Sequence, residues 1–107
     1  MVEKFIKDGH AAVIISYGYG LGWSTEAYDD HDRQTMLFHP LFVEAIEKGV
    51  KDVGPIAEEI FGDDTPCLGG WNGCVIEWVP VETQFIIDEY DGAESLTFLS
   101  DLNTITA

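Results

Sequence analysis

Three carboxylates and an imidazole stand side by side at Asp29-Asp30-His31-Asp32. Clustered carboxylate oxygens suit hard cations such as Ca²⁺, but the D-x-D-x-D-G order of an EF-hand loop and its closing Glu are missing. Cys67 and Cys74, with His10, His31 or His39, have the chemistry to hold zinc. Their spacing fits no C-x₂₋₄-C pattern, so no metal site and no cofactor is expected. Nucleophilic catalysis needs a Ser or Cys beside a base that a third group orients. No G-x-S-x-G or comparable local signature is present. Glu77, Glu82, Asp88 and Glu89 are spaced to pair as acid and base. Carboxylates on an acidic strand are more simply read as solvated, and a non-enzyme is expected.

The other chemistry-bearing stretch is Gly18-Tyr19-Gly20-Leu21-Gly22-Trp23, where glycine alternates with a large side chain. It matches neither G-x-G-x-x-G nor a P-loop, and little positive charge stands ready for a phosphate. If extended, it places Tyr17, Tyr19, Leu21 and Trp23 on one face and leaves the other bare. A bare face lets a backbone or a flat ligand come close. Trp71, in Gly69-Gly70-Trp71-Asn72-Gly73, adds a loop aromatic. Tyr17, Tyr19, Gly20, Gly22, Trp23 and Trp71 are therefore the candidate ligand-binding residues, while Trp78, alternating with Ile76 and Cys74, reads as core.

These residues need elements to position them. Ala11–Tyr17, rich in β-branched residues, predicts a strand. Ser24–Gln34 is polar and reads as a loop. Pro40 suits the first turn of a helix running to Lys48 and stopped by Gly49. Pro55 opens a second helix, Ile56–Phe61, closed by Gly62. Cys74–Val79, Thr83–Glu89 and Glu94–Leu99 predict three strands. Asp91-Gly92 between the last two is a strong hairpin signal, because both residues tolerate positive φ. The expected fold is one α+β domain over residues 1–107. It has a mainly antiparallel four-stranded sheet in the order β-α-α-β-β-β, with two helices on one face. The last three strands are expected to be sequential neighbours.

Charge bounds the partners. Of 107 residues, 20 are acidic and 5 basic, a net charge of −15. Every Lys and Arg lies at or before Lys51, and twelve carboxylates follow from Asp52 onward. Such a segment cannot be neutralised internally; it repels nucleic acid and anionic membranes and attracts basic protein surfaces. The hydrophobic share of 46% argues against disorder. The longest apolar run, Ala11–Ile15, is far below the ~20 residues of a membrane span. The first residues lack a signal peptide's apolar stretch, so a cytoplasmic location with Cys67 and Cys74 reduced is expected.

Three segments taken together resemble small acidic proteins of unassigned function encoded by bacteriophages. They are Gly18–Thr25 (GYGLGWST), Trp78–Phe85 and Glu89–Glu94 (EYDGAE), about a fifth of the chain. The resemblance implies a phage or prophage origin and action in the bacterial host cytoplasm on a host protein, including defence machinery. It implies no catalytic residues.

Two functions are weighed. In the first, exposed acids occupy a basic, often nucleic-acid-binding, surface of a host protein. A domain of this size spans roughly 35 Å, and duplex DNA of that length carries about 20 charges, comparable with −15. The residues expected to act are Glu82, Asp88, Asp91 and Glu94 on the C-terminal strands, with Glu58, Glu59, Asp63 and Asp64 around the second helix. In the second, the glycine–aromatic segment sequesters a nucleotide-like small molecule by stacking. The oligomeric state is not set by the sequence, and a homodimer is compatible with it.

Overall fold

His10–Ser16 forms strand β2 at the centre of a computed structural model that describes residues 3–99. Its residues Ala11–Ser16 are all buried. A continuous apolar run, not an alternating one, is what a strand covered on both faces requires. Strand β1 (Ile6–Lys7) joins it through Asp8-Gly9, both at positive φ (53° and 75°), as a two-residue hairpin turn demands. Strand β3 (Cys74–Pro80) pairs antiparallel along the whole of β2, from Ser16↔Cys74 to His10↔Pro80. The sheet order is β1-β2-β3.

The pleat divides β2 between two apolar clusters. Ala12 and Ile14 pack with Trp23, Met36, Phe42, Val43, Ala57 and Trp71. These come largely from helices α1 (Asp30–Phe38), α2 (Pro40–Glu47) and α3 (Gly54–Phe61) and the loops beside them. Val13 and Ile15 pack on the opposite face with Leu37, Phe38 and Val79, against Phe85, Ile87, Leu96 and Phe98. The last four belong to a hairpin of β4 (Phe85–Tyr90) and β5 (Ala93–Phe98). The architecture is therefore three layers: helices, a three-stranded sheet, and a two-stranded sheet.

The α+β class, the two expected helices and the four expected strands are present, with ends shifted by one or two residues. The Asp91-Gly92 turn is present at φ 50° and 85°. The single four-stranded sheet is not. β3 and β4 are consecutive but do not pair. After β3, Val81 N–H donates to Gly9 O at 2.9 Å, Thr83 N–H closes a turn on Pro80 O, and Glu82 takes a positive φ of 68°. The chain thereby leaves the plane of the first sheet. The physical reason lies in β2: its second apolar face needs a cover, and the alternating Phe85, Ile87, Leu96 and Phe98 supply one.

The expected loop at Ser24–Gln34 is also corrected. It holds a short 3₁₀ turn, Ser24–Glu26, and the start of α1. Asp29 caps that helix by accepting from Asp32 N at 2.8 Å, and Asp30 and Asp32 sit in its first turn, where acids favour the helix dipole. The run that offered metal-ligand chemistry is thus a helix start. Among the described residues, no three His, Cys, Asp or Glu are grouped to hold a metal ion. No helix among them is long and apolar enough to cross a membrane.

Candidate functional site

The glycine–aromatic segment leaves β2 at Ser16 and does not continue as a strand. Backbones converge there instead. A Cβ on Gly73 would lie 2.8 Å from Gly18 N, and one on Gly92 would lie 2.5 Å from Gly20 C and Leu21 N. A Cβ on Gly70 would collide with the Gly22 carbonyl. Gly20 N–H donates to Asp91 O at 2.6 Å. Three loops, Gly18–Gly22, Gly69–Gly73 and the Asp91-Gly92 turn, thus meet main chain to main chain. The expected extended segment with one shared aromatic face is not present: Trp23 is buried while Tyr17, Tyr19 and Leu21 are exposed, and the glycine backbone meets other glycine loops of this chain. Gly20 itself has open space around its Cβ direction, and what reserves that position for glycine is its φ of 101°.

Glu94 ties this junction together. The side chain is 1% exposed. One carboxylate oxygen accepts from Ser16 N at 2.9 Å. The other accepts from Trp23 N at 2.7 Å, Thr25 N at 3.1 Å and Thr25 Oγ1 at 2.6 Å. Its charge and the burial of the site together push the Cys74 thiol well above the usual range, burial contributing more. Glu94 therefore does not belong with the exposed acidic residues. It is a core carboxylate satisfied by backbone donors, which is how a buried charge is tolerated without a cation.

Side chains around the junction sort sharply. Trp23 is fully buried and donates from Nε1 to Met36 O at 2.6 Å; Trp71 is buried and donates to Val50 O at 2.9 Å. The two rings pack at 5.4 Å between centroids, with Phe42 beside both. Trp23 has no face open to a ligand, which corrects its expected binding role, and Trp71 is 8% exposed where it lines a small hollow of about 200 Å³. Trp78, expected in the core, is 40% exposed instead. The position was missed because the helices cover β3 only toward its Cys74 end, where Cys74 and Ile76 join the core. Tyr17, Tyr19 and Leu21 are exposed, as is Tyr90 beside the Asp91-Gly92 turn. Tyr17 OH donates to Glu77, and that bond, with burial and the carboxylate charge, raises its pKa. The junction presents exposed tyrosines, and the carboxylates of Asp88, Glu89 and Asp91 on β4 and its turn are exposed as well.

The remaining acidic candidates, Glu58, Glu59, Asp63, Asp64 and Glu82, are exposed on α3, the turn after it and the β3–β4 connection. Among the described residues, ion pairs join Arg33 to Asp30 within α1 and Lys48, the residue that ends α2, to Glu44. None neutralises the C-terminal carboxylates. Compared with protein-family models, with curated proteins and with solved structures, the chain matches none.

Proposed function

We propose that this chain is a non-catalytic binding protein that occupies a basic surface of another protein, in the host-cell setting that the phage resemblance implies. One observation carries the reading. Glu58, Glu59, Asp63, Asp64, Glu82, Asp88 and Asp91 are exposed, and among the described residues no Lys or Arg pairs with any of them. Exposed tyrosines at the glycine junction supply what charge alone lacks. They are amphipathic, have few rotatable bonds, and lose little conformational entropy on contact. A nucleotide-like ligand is less well supported, since Trp23 and Trp71 are buried.

The test is capture of host proteins at low and physiological salt by three forms of the chain. These are wild type, a variant with Glu58, Glu59, Asp63 and Asp64 changed to Gln or Asn, and a variant with Glu82, Asp88 and Asp91 so changed. Capture should weaken with salt and with at least one variant, while both variants keep the wild-type fold. Capture that ignores salt and both variants excludes the proposal.

A further inference from the structure

A groove of about 540 Å³ runs between helix α1 and strand β4, within the usual 300–1,000 Å³ or so of ligand sites. One wall is Ser24, Thr25, Asp30, Arg33 and Leu37; the other is Phe85, Ile86 and Ile87. Three consecutive strand residues line it, although alternate side chains of a strand point to opposite faces. The groove therefore runs along the main-chain edge of β4. That edge is open: β4 pairs with β5 on one side and, among the described residues, with no strand on the other.

Two further features point to what the edge receives. Ser24 is 1% exposed, and its Oγ has no hydrogen-bond partner; no other buried side-chain polar atom among the described residues is in that state. A buried hydroxyl left unpaired costs roughly 1–3 kcal/mol, so a partner at this position gains what the free chain forgoes. Arg33 spends one nitrogen on Asp30 Oδ1 and another on Ala27 O, each at 3.2 Å, which leaves some of its five N–H donors toward the groove. One wall is thus mostly polar and carries side-chain donors, and the other is apolar and carries alternating strand N–H and C=O groups.

We infer that this groove binds an extended peptide segment of a partner protein, added to β4 as a further strand and neutral to basic in charge. Strand addition satisfies the open ladder of β4. Arg33 and Ser24 face the far edge of the added segment, where its carbonyls have no other strand. Apolar side chains at alternate positions cover Leu37 and Ile86. The sign of the segment follows from Asp30 in the groove wall and a net charge of −15, which repel an acidic one. The inference stands on the groove's geometry; only the sign of the segment rests on the charge reading above.

The experiment is an amide chemical-shift titration of the full chain. The probes are a capped six-residue peptide of alternating Lys and Val, two forms of it N-methylated at the alternate amides of one edge or of the other, and a version with Ser in place of Lys. Shifts should centre on Ser24 and Phe85–Ile87. Methylation of one edge should abolish binding, and methylation of the other should not. Ser24→Ala should weaken binding by about 5–10-fold, the size of one hydrogen bond, without lowering the stability of the free chain. Equal binding of all methylated forms, shifts away from β4, or no binding at millimolar peptide would overturn the inference. If the Ser version binds β4 as tightly as the Lys version, the groove stands and the sign assigned to the segment falls.

Discussion

Glu94 is the residue on which the junction depends, because its four donors come from two separate stretches of chain: the end of β2 at Ser16, and the turn at Trp23 and Thr25. Hydrogen bonds to a charged group are worth about 1.5–3 kcal/mol each, and a buried donor left without an acceptor costs about 1–3 kcal/mol. Glu94→Gln keeps the shape but points an NH₂ group at donors. Urea denaturation should therefore show a loss of about 2–5 kcal/mol, and hydrogen exchange should quicken at Ser16, Trp23 and Thr25. Unchanged stability would mean the carboxylate is not the tie described. Nothing in the sequence separates Glu94 from its neighbours. A Glu on a strand two residues past Asp-Gly reads as solvated, and only tertiary placement gives it amide partners 71 and 78 positions away.

Elements were legible where a local rule decides them and illegible where packing does. Pro40, Pro55 and Asp91-Gly92 each fix local backbone, and α2, α3 and the β4–β5 turn stand where those residues predict. Helix α1 was missed because its polar first turn resembles a loop; Asp29 as a cap was the overlooked signal. The division into two sheets was missed because alternation shows which side chains share a face, not which strand lies alongside. The helix joint at His39 makes a pH prediction. His39 Nδ1 accepts from Leu41 N at 3.1 Å and so caps α2 only when unprotonated. Burial lowers its pKa, opposed weakly by Glu3. The unfolded chain, with an ordinary value near 6.5, then takes up a proton more readily than the folded one. The contribution is full above about pH 6.5 and is lost as pH falls through the lowered folded value. His39→Asn keeps an acceptor and cannot titrate, so its stability should fall less over that interval in denaturant midpoints. At the glycine junction, the Gly18–Gly73 contact should be one-sided. A Cβ on Gly18 meets nothing closer than 3.8 Å, whereas one on Gly73 meets Gly18 N at 2.8 Å. Gly73→Ala should cost about 1–3 kcal/mol and Gly18→Ala well under 1 kcal/mol or so, read from thermal midpoints; equal costs would refute the close approach.

Over the whole molecule, the carboxylates act on one another as well as on a partner, and salt separates the two effects by sign. The radius of gyration is 13.9 Å. At about 0.01 M salt the screening length of ~30 Å exceeds that radius, so every exposed acid feels the rest; at about 0.15 M it falls to ~8 Å and only near neighbours interact. Self-repulsion opposes the compact state. The free chain should therefore gain stability across that range, by about 1 kcal/mol, or roughly 4–8 °C in thermal midpoint for a domain of this size. Changing Glu58, Glu59, Asp63 and Asp64 to Gln or Asn should raise the low-salt midpoint and shrink the salt-dependent gain, because it removes exposed charges that no cation balances. Capture of a basic partner must run the other way, weakening as salt rises, since the same screening now removes an attraction. Thermal midpoints and partner affinity measured in one salt series distinguish the cases. Opposed trends, both reduced in the variant, are what uncompensated exposed charge requires. A midpoint indifferent to salt would mean that bound cations already neutralise the carboxylates, and the acidity would then no longer account for binding.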